Sequence, residues 1–273
     1  MDNALTERQP LSIFLTGAAS PLGQVLTRKL IAAGHQVVGL TPTATLGALI
    51  RANGALPVYA DPARAAELKN AMTLRKTDVV IHIASQTANH VPARQVVWDS
   101  EAQSMVRDTE VLTEAAAGAG VKFFVHTSYA FVYGDHHGAW VDETTRPEPH
   151  DHALLKAALT AEKKALNAAV PGCVLRLGYL YGAEVDGLHD LVNTLRAGRS
   201  AGSDAGYASW VSLVDAAEAL RRAAEAQIAG GIYNIVDDTP ASSADFLKHF
   251  AGALGLQLPD GLPKFLTQFL PRG

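Results

Sequence analysis

The sequence has little sulfur, no excess of basic charge and no long apolar run, and each shortage excludes something. A single cysteine, Cys173, occurs in 273 residues. No disulfide can therefore form within the chain, and a thiol beside Val174 and Leu175 reads as a buried strand residue. Lys and Arg number 23 against 27 Asp and Glu, a formal net charge of −4, so nothing points to nucleic acid or to an anionic membrane surface. No apolar run approaches the ~18 residues of a membrane span. The first eleven residues are polar and lack the apolar stretch of a secretory signal. A cytoplasmic protein with no nucleic-acid or membrane partner is expected. His136 and His137, near Asp135 and His126, are adjacent residues in a glycine-bounded loop and point apart, so no metal site is expected.

What is present is an alternation of short apolar runs with helix-period segments. Strands are expected at Ile13–Leu15, Gln36–Leu40, Leu56–Tyr59, Asp78–Ala84, Lys122–Thr127 and Cys173–Leu177, with a late one at Gly231–Val236. Over Pro21–Ala33, residues Leu22, Val25, Leu26 and Leu30 share a face, Pro21 suits a first turn and Gly34 closes the end. Val106–Ala119 and Ala153–Ala168 read as helices in the same way. Continuous apolar strands alternating with helices imply an α/β fold, a doubly wound parallel sheet covered on both faces. After Gly182 the rhythm weakens and glycines at 187, 198, 202 and 206 mark loops. Residues 1–180 are read as a dinucleotide-binding core. Residues 181–273 are read mainly as a small substrate lobe, with 231–236 returning to the core sheet.

The first strand runs into Thr16-Gly17-Ala18-Ala19-Ser20-Pro21-Leu22-Gly23. A strand, a tight glycine turn and a helix start form a site for a pyrophosphate, because the first helical amides and the helix dipole face it. The spacing is Gly17-x-x-Ser20-x-x-Gly23, so a serine replaces the middle glycine of the usual fingerprint.

With this loop in place, the chain resembles the short-chain dehydrogenase/reductase superfamily, most closely its extended or atypical branch with NAD-dependent epimerases and dehydratases. The resemblance rests on Thr16-Gly17-x5-Gly23, Asp61-Pro62, Val80-Ile81-His82-Ile83-Ala84, Phe124-Val125-His126-Thr127-Ser128 with Val132-Tyr133-Gly134, and Arg176 with Tyr181-Gly182. Later landmarks are Trp210-Val211-Ser212-Leu213-Val214-Asp215 and Tyr233-Asn234-Ile235-Val236. It implies a Rossmann-like fold and a dinucleotide held by Gly17, Ala19, Ser20, Pro21, Leu22, Gly23, Thr41, Asp61, Pro62, Ile83, Ala84, Ser85, Thr127, Lys156 and Leu180. It also implies a homodimer through the helices at Val106–Ala119 and Ala153–Ala168. Outside the cofactor's reach, Arg176 is expected to pair with a carboxylate, Tyr133 to pack behind the site with its hydroxyl satisfied locally, and Asn234 to fix a turn beside its strand.

The chemistry of the resembled enzymes uses a tyrosine acid/base, a lysine four residues later that lowers its pKa, and a serine or threonine that orients the substrate oxygen. Carried over, Lys156 holds the lysine position, His152 the tyrosine position and Tyr129 the serine position; Met105 stands where an asparagine would. His152 has a reference pKa near 6.5, suited to proton transfer. Tyr129, His152 and Lys156 are therefore the candidate catalytic residues. After the second strand, Thr41-Pro42-Thr43 has neither the acid that favours NAD nor the arginine that favours NADP, which leaves the cofactor as NAD or NADP. Two functions stay open. One is oxidoreduction, epimerisation or dehydration of a small carbonyl or sugar-like substrate with an altered catalytic set. The other is a non-catalytic dinucleotide-binding sensor or regulator.

Overall fold

Local signals in the sequence set where the first elements begin and end. In the computed structural model, which describes residues 9–84, 95–149, 152–185, 207–253 and 255, β1 (Ser12–Thr16) leads through the glycine loop into α1 (Pro21–Ala32). Ser20 caps α1, its hydroxyl accepting from the Gly23 amide, and Pro21 fills the first turn, where its missing N–H costs nothing. Leu22, Val25, Leu26 and Leu30 form the buried stripe. Then follow β2 (Gln36–Leu40), α2 (Ala44–Ala52), β3 (Leu56–Val58), α3 (Ala65–Leu74), β4 (Val79–His82), α4 (Gln95–Ala119) and β5 (Phe123–Tyr129). A 3-10 turn covers Ala130–Tyr133, followed by α5 (Ala153–Leu166), β6 (Gly172–Leu177) and β7 (Tyr179–Tyr181). The later elements are β8 (Tyr207–Ala208), β9 (Trp210–Ser212), α6 (Leu213–Ala226), β10 (Ile232–Ile235), β11 (Ala241–Ser242) and α7 (Ser243–Ala253).

Seven parallel strands form one sheet in the order β10-β6-β5-β4-β1-β2-β3. Alternate residues of each strand serve opposite faces. Ile13, Leu15, Val79, Ile81, Val125 and Leu175 pack under α1 and α6, with Leu26, Leu30, Leu213 and Leu220. Phe14, Val80 and Phe124 pack under α3 and α4, against Leu68, Met72, Leu112 and Ala116. This is the doubly wound α/β sheet read from the sequence. Cys173 lies on β6, buried, and burial pushes its thiol up to about 12.

The differences from the sequence reading are local. The helix α4 begins at Gln95 rather than Val106: Asp99, Ser100, Glu101, Gln103 and Ser104 thin the apolar pattern there, although Ala102 and Met105 pack with Tyr129 and Leu154. β4 ends at His82 rather than Ala84: there the Ala84 amide leaves the ladder and donates to Thr127 Oγ1 at 3.0 Å. β5 instead runs on to Tyr129, because β6 continues beside it with Tyr129 opposite Leu177. β7 pairs with β9 and β8 with β11, strands of two or three residues too short to leave a pattern. From the segment read as the lobe, α6 packs against α1 and the sheet, and β10 joins the sheet edge beside β6.

Candidate functional site

Neighbouring strands β1 and β4 are entered from opposite directions of the winding, which opens a crevice outside their carboxyl ends. Gly17 turns the chain there with φ +68°, a conformation that L side chains rarely adopt. A Cβ on Gly17 would lie 2.9 Å from Ile83 Cβ, and one on Gly23 would lie 2.1 Å from the Gly17 carbonyl oxygen. Ser20 closes the turn: its Oγ donates to Gly17 O at 2.7 Å and accepts from Gly23 N at 3.1 Å. The serine hydroxyl is thus spent within the loop, and α1 still presents its positive end to the crevice. This cradle fits a pyrophosphate.

The second and third strands supply the flank of the crevice. Thr41, buried at the end of β2, accepts from Thr43 N at 3.4 Å, and Thr43 Oγ1 caps α2 by accepting from Leu46 N at 3.3 Å. Arg51 donates to Tyr59 Oη at 3.3 Å. Asp61 Oδ1 accepts from Ala63 N at 2.9 Å, and Arg64 stands 3.4 Å from the other oxygen, so this carboxylate shapes its own turn beside exposed Pro62. At the end of β4, Ile83 is buried and Ala84 half-buried. Thr127 Oγ1 accepts from Ala84 N and donates to His82 O at 3.3 Å, tying the ends of β4 and β5 together. Ser85 lies outside the described residues.

Beneath this corner lie two buried imidazoles. His82 Nδ1 is 2.7 Å from Thr16 Oγ1, and the His82 and His126 rings are 5.3 Å apart. Neither ring nitrogen of His126 has a hydrogen-bond partner among the described residues. Burial lowers His82 to about 3, and burial together with neighbouring His82 holds His126 well below the usual histidine range. Both are neutral at pH 7.

A cleft adjoins the glycine loop. Leu22 and Ile83 form its near wall, Thr127, Leu177, Gly178 and Leu180 its floor, and Ser128, Tyr129, Phe131 and Tyr179 its far wall. The expected residues Leu22, Ile83, Thr127, Tyr129 and Leu180 thus come together here. His152 and Lys156 are not among the lining residues. His152 is half-buried at the start of α5, and Lys156 lies on the exposed side of that helix. The buried side of α5 presents Leu154, Leu155 and Ala158, which pack with Tyr129 and Met105. Ser128, Phe131 and Tyr179 were not anticipated. The aromatic alternation Tyr129-x-Phe131-x-Tyr133 was the available signal for Phe131, and Tyr179 had none.

The far wall is aromatic. Tyr129 and Phe131 stack with centroids 4.8 Å apart, Phe131 and Tyr179 at 4.7 Å and 9° between planes, and Tyr179 leans on Trp210 at 5.6 Å. Trp210 in turn stacks on Phe246 of α7 at 3.9 Å. Ser128 is buried, and its Oγ has no hydrogen-bond partner among the described residues.

Behind the cleft, Arg176 on β6 makes a two-pronged bond to Glu162 on α5, Nε to Oε1 at 2.9 Å and Nη2 to Oε2 at 2.7 Å. Its Nη1 donates to Tyr133 Oη at 2.7 Å, and that hydroxyl donates to Asn234 Oδ1 at 3.0 Å. Asn234 N donates to Glu143 Oε1 at 2.6 Å, which anchors the Asp142-Glu143 loop. Burial opposes the Arg176 charge, and the Glu162 and Tyr133 bonds more than offset it. Arg176 therefore pairs inside the protein and Tyr133 is satisfied locally, as expected. Asn234 does more than the expected turn, since it links β10 to both Tyr133 and the 142–143 loop. Among the described residues no His, Cys, Asp and Glu group could hold a metal ion, and no helix is long and apolar enough to cross a membrane.

Comparisons with known proteins agree with this geometry. A family model described as the NAD dependent epimerase/dehydratase family matches residues 13–236. A 3-diazoavenalumate denitrifying reductase from a Streptomyces species is 28% identical over 94% of this chain and 86% of its own length. An epimerase family protein of Mycobacterium leprae is 28% identical over 82% of this chain and 77% of its own. Among solved structures, the UDP-glucose 4-epimerase of Stenotrophomonas maltophila, with bound NAD and formylated UDP-arabinopyranose, superposes with a TM-score of 0.79 at 20% identity. That match covers 93% of this chain and 86% of the epimerase, and it shows a shared fold.

Proposed function

Because the chain belongs to the NAD dependent epimerase/dehydratase family, whose nicotinamide cofactor the glycine cradle fits, we propose that it is an NAD(P)-dependent reductase of a small molecule bound in the adjoining cleft. The dinucleotide, when bound, supplies or accepts the hydride. Gly17, Ala19, Ser20, Pro21, Leu22 and Gly23 hold its pyrophosphate, Thr41, Asp61 and Pro62 flank its adenosine end, Ile83, Ala84, Thr127 and Leu180 border its nicotinamide end, and Lys156 serves its ribose. Thr41 and Thr43 carry no charge to repel a 2′-phosphate, so NADP is accepted as well as NAD.

The observation that carries the reductase reading is the set of side chains at the start of α5. Epimerisation and dehydration start by removing a proton from an alcohol, which needs a strong base held beside the reacting carbon. At the start of α5 stands His152 where the resembled enzymes carry a tyrosine, and Leu154, Leu155 and Ala158 fill the side packed with Tyr129. One-way reduction of an electron-poor acceptor makes a smaller demand, a single proton donor. The Tyr129 phenol on the cleft wall serves as that donor, and His152 at the mouth of α5 relays protons from solvent. The name of the Streptomyces relative, a reductase, supports the same direction.

The test is calorimetric titration with NAD and NADP in both redox states, followed by cofactor oxidation on a panel of carbonyl and diazo acceptors. Tyr129→Phe is expected to lower turnover roughly a hundredfold, the lower end of what general acid catalysis supplies, with unchanged dinucleotide affinity. A second reading is favoured by His152 and Tyr129 standing at the tyrosine and serine positions: a dinucleotide-binding protein that reports redox state without turnover. Tight binding with no cofactor oxidation on the whole panel would favour it.

A further inference from the structure

The aromatic far wall of the cleft identifies a class of substrate. We propose that the cleft takes a planar aromatic compound, its ring packed against Tyr129, Phe131 and Tyr179 and its polar substituent bonded by Ser128 Oγ. This rests on the reading of the cleft as the substrate site beside the dinucleotide.

Three observations converge. First, Tyr129, Phe131 and Tyr179 form a continuous stack at 4.8 and 4.7 Å, and Tyr179 is backed by Trp210 and Phe246. Rings held from behind in this way keep a fixed surface, and a flat guest meets it offset or edge-to-face without ordering loose side chains. Second, the remainder of the cleft is aliphatic or already engaged. Leu22, Ile83, Thr127 and Leu180 are taken by the dinucleotide, and Leu177 and Gly178, the other lining residues among those described, carry no polar side-chain atom. A hexose would bring several hydroxyls to such walls and leave them unbonded, which is costly. Third, Ser128 is a buried hydroxyl on the lining with no partner among the described residues. Buried polar groups rarely stay unsatisfied, so a single acceptor oxygen or nitrogen on the guest completes it.

Two ketones with the same acyl group separate ring flatness from polarity. Acetophenone and cyclohexyl methyl ketone are titrated by ligand-observed NMR into the full chain saturated with oxidised cofactor, and UDP-glucose is run in parallel. Acetophenone is expected to bind roughly two- to tenfold more tightly than its saturated counterpart, the range that aromatic pairing supplies, and more tightly than UDP-glucose. Phe131→Leu removes the ring while keeping an apolar filler, and it is expected to bring the two ketones together. Tyr179→Leu is the second variant should Phe131→Leu not fold. Ser128→Ala is expected to weaken both ketones by a similar factor.

Equal affinity for the two ketones in the wild type, or tighter binding of UDP-glucose, overturns the proposal. A Phe131→Leu protein that loses dinucleotide affinity while keeping its ketone preference also overturns it, since the wall then serves the cofactor. If neither NAD nor NADP binds the wild type, the reductase reading itself fails. If the cofactor binds and ring flatness is ignored, only the substrate class fails.

Discussion

At Gly17 the backbone sits at φ +68° with Ile83 Cβ 2.9 Å from where a side chain would start. Either constraint alone makes a branched residue unfavourable there, and together they exclude one unless β4 moves. Gly17→Val is therefore expected to abolish measurable binding of NAD and NADP by calorimetry, and unchanged affinity would remove this loop from the site. Ser20 shows how a departure from the glycine fingerprint is tolerated. Its hydroxyl takes the Gly23 amide and returns a bond to Gly17 O, so the added atoms stiffen the turn. Residue identity was enough to find this loop, because the requirement is written in three consecutive features: apolar strand, glycine and capped helix. It was not enough to place Lys156. A four-residue offset from His152 puts both on one stripe of a helix, yet spacing alone does not say which stripe faces the sheet. In α5 the neighbouring stripe of Leu154, Leu155 and Ala158 takes the face packed with Tyr129 by burying apolar area, and Lys156 stands on a more exposed stripe.

α5 is held against the sheet by more than its apolar stripe. Arg176 and Glu162 are both nearly fully buried and bonded by two prongs, with Tyr133 and Asn234 extending the chain of bonds to β10. Removing one partner of such a pair strands a charge away from water. Glu162→Ala is expected to cost about 3–5 kcal/mol in urea unfolding, and the double variant Glu162→Leu with Arg176→Met is expected to regain most of it. A single variant as stable as the wild type would show that the pair contributes nothing. The sequence suggested a carboxylate for Arg176 without naming it, since Glu162 is fourteen residues away and belongs to another layer. The same limit applied to the far wall. Tyr129 and Phe131 lie in one segment, but Tyr179, Trp210 and Phe246 meet them only through the short β7–β9 pair and α7. Contacts that depend on three-residue strands leave no periodic trace.

The molecule as a whole inherits an acid sensitivity from its histidines. His82 and His126 stay neutral in the fold, with His82 near 3 and His126 well below its usual range, whereas the unfolded chain takes up protons near 6.5. Folded values below unfolded ones mean that the contribution is fully present above about pH 6.5 and is lost as pH falls toward the folded values. Each imidazole then costs roughly 1.4 kcal/mol per pH unit. Urea midpoints at pH 7, 6 and 5 are expected to fall steeply, and His126→Leu is expected to reduce that slope by about half. An unchanged slope would show that His126 is protonated in the native state. For assembly, α4 and α5 lie side by side on one face, and a homodimer through them remains our proposal. Static light scattering at micromolar concentration is expected to give twice the chain mass, and a monomer mass would exclude it. The lone thiol of Cys173 has a separate use. It sits on β6, with β5 hydrogen-bonded on one side and β10 on the other, and its proton is held tightly. A thiol-modifying reagent therefore reaches it only when the layer of α6 over this face of the sheet lifts. With one such group per molecule, the rate of modification under native conditions clocks the rarest openings of the chain, one chemical mark for each excursion.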